Sequence, residues 1–454
     1  MKRSMTAEIC EGPILSSILK YTIPIILTGE LQLLFNAADL IVVGRFCGSL
    51  SVAAVGATST LTNLFVNLFM GLSIGVGVII AQSVGAKDDK KTSRTVHTAL
   101  PLAFICGVVL TVIGVVYSGR FLAFMKTPDD VINLSTVYMQ IYFAAMTASM
   151  VYNFGASILR AAGDTKSPLV FLFIAGLLNV ILNILFVTVF KMDVAGVALA
   201  TALSQLLSAV LVVAALMKRD DACRFSFAEM RIHKNEVLGI VRLGLPAGIQ
   251  GSLFSISNVI IQSSINSFGS AAVSGSAASS SIEGFVYIAM NSVSVTAVNF
   301  VGQNYGARRP DRIKKIIADC LMLAAGVGIV LGVGAYLLGR PLLGIYITDS
   351  PEAVRDGIER MSFICLTYFL CGIMDVTTGA LRGFGVSLIP TVIAVMSICV
   401  MRVVWIYTVF LIPEYHTLSS LFVSYPISWM LSFAAQLIAL VIVWKKKSRI
   451  LGTQ

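Results

Sequence analysis

Twelve apolar stretches, each long enough to cross a lipid hydrocarbon core, fix the solvent of this chain and with it the secondary structure. They run roughly over residues 18–44, 52–81, 95–118, 134–160, 167–190, 194–217, 238–267, 272–303, 316–338, 357–381, 388–411 and 419–444. About 20 apolar residues suffice for one helical crossing. Lipid offers no partner to backbone N–H and C=O groups, so each stretch must satisfy its own as a helix. The period-2 alternation of a membrane barrel is absent. Only 12% of the residues are charged against 57% hydrophobic, a balance no water-soluble core requires.

The basic residues orient the spans. With both termini inside, 25 of the 33 Lys and Arg fall in inward-facing segments and 7 in outward loops, leaving Arg402 within span 11. That bias predicts cytoplasmic termini. It also accounts for the net charge of +10 through basic loops facing the anionic leaflet, such as Lys87 to Arg94 and Arg308 to Lys315. No segment forms a folded basic domain, so nucleic acid is not an expected partner; membrane lipids are. Met1 to Glu11 is short and polar and carries no cleavable signal pattern, so the N-terminus is expected to be retained. The eight cysteines form no CxxC pair and read as small buried hydrophobes rather than metal ligands.

Sliding the sequence against itself reveals a duplication. At an offset of 222, Pro24 meets Pro246, Asn36 meets Asn258, and Leu159, Arg160, Gly163 and Pro168 meet Leu381, Arg382, Gly385 and Pro390; at 221, Gln82, Gly85 and Ala86 meet Gln303, Gly306 and Ala307. The expected organisation is therefore all-α: an N-terminal six-helix lobe (1–217), a charged cytoplasmic linker (218–237) and a C-terminal six-helix lobe (238–454). An even number of spans per copy relates the copies by an axis along the membrane normal. Two such bundles can expose a central cleft to either side in turn, which favours transport over a purely structural role. Pro24, Pro101, Pro246 and Pro426, with Gly71, Gly75 and Gly77, supply kinks and close helix approach.

The motifs that repeat resemble those of the multidrug and toxic-compound extrusion (MATE) transporters of prokaryotic type. They are Asn36-Ala-Ala-Asp39-Leu-Ile-Val-Val-Gly44, Leu159-Arg160-Ala-Ala-Gly163-Asp164-Thr-Lys-Ser-Pro168, Gly302-Gln303-Asn304-Tyr-Gly306-Ala and Leu381-Arg382-Gly383-Phe-Gly385. The resemblance covers nearly the whole chain and rests on their order, spacing and duplication. It implies a V-shaped pair of bundles and an antiporter that exports cationic and aromatic compounds at the expense of inward H⁺ or Na⁺; a monomer with no cofactor is expected.

Ionisable residues at bilayer depth are costly and mark sites. Five were expected within spans: Glu30, Asp39, Glu283, Asp375 and Arg402. Asp39 shares a helix face with Asn36 and Gln32, three and seven residues away. A carboxylate flanked by amides can hold a proton or a dehydrated Na⁺, and the resemblance places coupling here. In span 5 the family pairs an Asn with an Asp one turn on, whereas this chain has Asn179 and Asn183; the lost carboxylate favours H⁺ over Na⁺. Asn153 was expected to help orient the site. Glu30, Phe35, Gln250, Phe254, Glu283 and Met290 are candidates for a substrate cleft, as are Phe65, Phe69, Met70 and Met150. Arg402 is expected to pair with Asp375, offset by 222 from Asn153, or with Glu283. His97, His233 and His416 lie in or beside loops and were expected to be solvated.

Two other readings compete. A flippase of lipid-linked substrates would need a strongly basic cavity, against which Arg402 stands as the only basic residue placed within the spans. An intramembrane enzyme would need a catalytic motif such as HExxH, GxSxG, a P-loop or a paired-Asp arrangement, and none is present.

Overall fold

The computed structural model describes residues 5–125, 127–348 and 350–452; Lys2, Arg3 and Lys126, which entered the orientation argument, lie outside them. Among the described residues the chain is helical, with no strand. The helices are α1 (Met5–Glu11), α2 (Ile14–Phe46), α3 (Ser49–Gly85), α4 (Asp89–Phe124), α5 (Asp129–Ala144), α6 (Met146–Ala161), α7 (Lys166–Ile184), α8 (Asp193–Met217), α9 (Lys234–Asn266), α10 (Ser270–Gly306), α11 (Pro310–Leu337), α12 (Gly339–Tyr346), α13 (Pro351–Ile364), α14 (Tyr368–Gly383), α15 (Leu388–Ala394), α16 (Met401–Tyr407) and α17 (Leu418–Gly452). Eleven helical stretches are long and apolar enough to cross a membrane. The twelfth span is α5 with α6, divided at Ala145 into two 16-residue helices.

That break is part of the duplication. Ala145 corresponds at offset 222 to Thr367, and α13 and α14 are likewise separated, by a 3₁₀ turn over Cys365–Thr367. A break at this depth frees carbonyls that must find partners. In the first copy Thr111 of α4 donates to the Phe143 carbonyl at 2.8 Å. Its counterpart at offset 221, Gly332 of α11, lies so close to the Cys365 carbonyl that a Cβ there would stand 2.1 Å from the oxygen. Turn chemistry repeats too. Gly163 (φ 97°) and Gly385 (φ 78°) end α6 and α14 in the left-handed region, where only glycine carries no Cβ penalty. After Gly163, Asp164 caps α7 by accepting from the amides of Lys166 (3.2 Å) and Ser167 (3.0 Å).

The chain forms two compact units, unit 1 built on Ile23–Ser252 and unit 2 on Ala7–Thr22 and the chain from Leu253 onward. The sequence copies and the compact units therefore do not share their boundaries, because α2 and α9 each divide between units. Within unit 1, α9 lies against α3 at backbone distance: a Cβ on Gly71 would meet the Gly248 nitrogen at 2.1 Å, and one on Gly75 the Ile240 carbonyl oxygen at 2.4 Å. Within unit 2 the corresponding seam is a hydrogen bond, Thr22 to Thr296, 2.8 Å between hydroxyl oxygens.

The linker is a packed part of unit 1. Cys223 and Phe225 are buried with the unit 1 core, and burial pushes the Cys223 thiol up to about 12. His97, expected to be solvated, is instead 3% exposed. One ring nitrogen, Nδ1, contacts the Ser93 carbonyl at 2.8 Å. The other, Nε2, accepts from the Ser226 amide at 3.1 Å, and the ring stacks on Phe225 at 5.5 Å.

Candidate functional site

The polar residues that α2, α7 and α8 carry into the apolar interior of unit 1 converge on Asp39. Asn183 donates through Nδ2 to Asp39 Oδ1, and Thr201 donates to Oδ2 at 3.3 Å. The same Asn183 amide nitrogen donates to Asn179 Oδ1 at 3.2 Å, while Asn179 Nδ2 donates to Thr201 Oγ1 at 3.3 Å. These four side chains close a ring in which Asn183 only donates, Asn179 and Thr201 both donate and accept, and the Asp39 carboxylate only accepts. Asn183 is fully buried and its Oδ1 has no hydrogen-bond partner.

A cavity of about 60 Å³ adjoins the ring, lined by Gln32, Phe35, Asn36, Asp39, Asn179 and Thr201, and by Ser204, Gln205 and Ser208 of α8. The α2 face read from the sequence, Gln32 to Asn36 to Asp39, is thus brought together with Asn179 and Asn183. Phe35 closes one side, its ring against Gly176, where a Cβ would stand 1.8 Å from the ring. Asn153 is not in the lining; its amide is spent on the Ser149 carbonyl of its own helix at 2.8 Å. Thr201, Ser204, Gln205 and Ser208 were missed, although polar residues three, four and seven apart in an otherwise apolar span form one helical stripe, a signal visible in the sequence.

The cleft candidates fare differently. Glu30 lies outside the cavity lining, with Oε2 buried and unpartnered. Gln250 is buried in the unit 1 part of α9, and Phe254 packs on a unit 2 core. Met290 is fully buried, its sulfur wedged between Gly328 and Gly372, so it is core rather than cleft lining; Met150 is likewise fully buried, and Phe65, Phe69 and Met70 pack on the unit 1 core.

Two expectations about charge are overturned. Glu283 does not line a cleft: it forms a buried bidentate pair with Arg360 of α13, Nε to Oε1 at 2.9 Å and Nη2 to Oε2 at 2.8 Å. Arg360, at the outer edge of span 10, is one of the seven Lys and Arg counted with the outward loops. The proposed Asp375–Arg402 pair is also absent among the described residues. Asp375 accepts from Asn291 Nδ2 at 3.5 Å and senses Arg382, seven residues on along the same face of α14. Arg402 turns to α17, where Nε donates to Ser428 Oγ at 2.9 Å and the guanidinium lies 4.0 Å from the Tyr425 ring centroid.

This architecture has known counterparts. The MatE family model matches residues 24–185 and again 246–408, one match per copy. The chain belongs to the MatE family. Among curated relatives of this MATE transporter is the probable multidrug resistance protein YoeA of Bacillus subtilis (strain 168), 29% identical over 436 residues, 94% of this chain and 93% of that one. The probable multidrug resistance protein NorM of Thermotoga maritima is 23% identical over 398 residues, covering 85% and 83%. A multidrug resistance MATE family transporter of the MOP superfamily, solved in an outward-facing conformation, shares the fold with a TM-score of 0.91 at 20% identity, covering 99% of this chain and all of that one. The chain is therefore a multi-pass membrane transport protein of two six-span bundles, twelve membrane spans in all.

Proposed function

We propose that this MATE transporter exports cationic or aromatic small molecules by cation-coupled antiport and alternating access, with Asp39 carrying the coupling ion and H⁺ preferred over Na⁺. The observation that carries the reading is the closed ring around Asp39. Na⁺ binds through a shell of several oxygen atoms, whereas this ring holds a single carboxylate, and two of its oxygens, Asp39 Oδ1 and Asn179 Oδ1, already accept from one Asn183 amide nitrogen. Seating Na⁺ between them would require that amide to turn over. A proton needs no such shell. Protonating Asp39 converts an acceptor into a donor, and the unpartnered Asn183 Oδ1 becomes its acceptor after the same amide rotation. Either step changes the hydrogen bonds that tie α2 to α7 and α8, which is what a transport cycle needs a bound ion to do.

Relatives named for multidrug resistance support the export of drugs as the activity, and the inward bias of Lys and Arg supports cytoplasmic termini. The test is reconstitution in liposomes with a fluorescent organic cation, a pH gradient and a Na⁺ gradient being imposed separately. Dye movement under the pH gradient alone is expected. Movement driven by Na⁺ alone would refute the choice of ion, and movement under neither gradient would refute coupling.

A further inference from the structure

We infer that Arg402, in unit 2, is the centre of a binding site for one small monovalent anion of the halide class. α16 belongs to a membrane span, Leu388–Leu411, and Arg402 within it is only 4% exposed. A guanidinium at such depth is costly unless a counter-charge meets it. Among the described residues no carboxylate forms an ion pair with it; the groups acting on Arg402 electrostatically are Tyr425, Cys371, Cys399 and Tyr368. The acids of this unit that the sequence placed in spans are committed elsewhere, Glu283 to Arg360 and Asp375 to Asn291 and Arg382.

What surrounds the guanidinium is rich in donors and poor in acceptors. Nε is taken by Ser428 Oγ, but Nη2 is buried without a hydrogen-bond partner. The Cys399 thiol lies in range of both Arg402 and Ser257, and Ser257 Oγ is a second buried donor, with that thiol as its neighbouring polar group. Cys371 adds another thiol. The Tyr425 ring covers the flat face of the guanidinium and Trp429 stands at 5.9 Å, so access is left to its edge. Immediately before Arg402 the helix is wound as a π-helix over Val395–Val400, a feature concentrated at functional sites.

An orphaned buried donor calls for a water or an ion. The net charge decides between them, since water leaves the guanidinium uncompensated. Burial of Nη2 sets the size: an organic carboxylate would have to open the packing between α16 and α17, and a phosphate would also over-neutralise a single positive charge. A halide-sized anion meets both limits, and the weakly hydrated guanidinium suits a weakly hydrated anion. The site stands in unit 2, apart from Asp39, and its test does not depend on transport.

Crystals of the full-length protein grown or soaked in bromide read the site directly. An anomalous peak beside Arg402 Nη2 is expected, and an ordered water or an empty map at that position would overturn the inference. In solution, chloride titrated against gluconate at constant ionic strength should raise the unfolding temperature saturably, by about 2 °C or more. The rise should vanish in Arg402→Gln and weaken in Ser257→Ala. A rise of equal size in Arg402→Gln would overturn the assignment; should that variant fail to fold, the wild-type bromide map and the Ser257→Ala titration decide.

Discussion

Replacing Glu283 by Ala should destabilise unit 2 more than any single apolar truncation nearby, and the magnitude follows from the geometry. Both partners of the pair are nearly sealed from solvent, with side chains 6% and 8% exposed. Arg360 gives Nε and Nη2 to the two carboxylate oxygens and Nη1 to Ser276 at 2.8 Å, while Ser279 donates to Oε1 at 2.9 Å. Truncating Glu283 leaves a guanidinium between the Phe422 and Tyr425 rings with its charge uncompensated, a cost of about 3–5 kcal/mol. For a unit of this size 1 kcal/mol moves the midpoint by about 2–4 °C, so a fall on the order of 10 °C is expected. Replacing both partners, Glu283→Leu with Arg360→Met, should restore most of it, because apolar substitutes for a complete buried pair are neutral or stabilising. A thiol-reactive dye suits the assay, since Cys365 and Cys371 are buried within the same unit. A single variant within about 2 °C of wild type, or a double variant no better than the single, would refute the reasoning.

Other expectations are as specific. His97→Ala removes the acceptor of the Ser226 amide and the platform under Phe225; alkylation of the buried Cys223 should speed up by about tenfold, one lost hydrogen bond, as followed by mass spectrometry of the labelled linker. Gly71→Ala drives a methyl into the α9 backbone and should cost about 1–3 kcal/mol, measured as a lowered unfolding temperature. Thr201→Val keeps the shape but removes the hydroxyl that bridges Asp39 and Asn179; gradient-driven transport should fall about tenfold with little change in unfolding temperature, and unchanged transport would remove Thr201 from the site.

Much of this molecule could be read before its coordinates. Hydropathy marked all twelve spans because lipid enforces helices wherever apolar runs are long enough, and the matched glycines at 163 and 385 marked the duplication whose left-handed turns the structure shows. The face Gln32, Asn36, Asp39 was legible because helical period alone groups residues three and seven apart. Tertiary choices were not. Arg360 sits at a span edge, where counting charges assigns it to a loop, and only the packing of α13 against α10 turns it onto Glu283. Arg402 could reach several neighbours by composition; a π-helical turn, which leaves no simple pattern, directs it to α17. The breaks at Ala145 and Cys365–Thr367 fall in sequence as apolar as the helices they interrupt. His97 looked like a loop residue because its burial is supplied by a linker residue, Ser226, 129 positions away, and by its neighbour Phe225. The place of the first part of α9 in unit 1 depends on close approach at Gly71, Gly75, Gly244 and Gly248, whose meaning appears only with the partner helix in place.

The most direct test of the central claim is transport by Asp39→Asn in liposomes under an imposed pH gradient, with folding checked by its unfolding temperature. The variant keeps the shape of the ring but cannot gain or lose a proton. A folded protein that no longer moves the organic cation in response to the gradient is the expected result; a folded protein that moves it at the wild-type rate would contradict the assignment of coupling to Asp39.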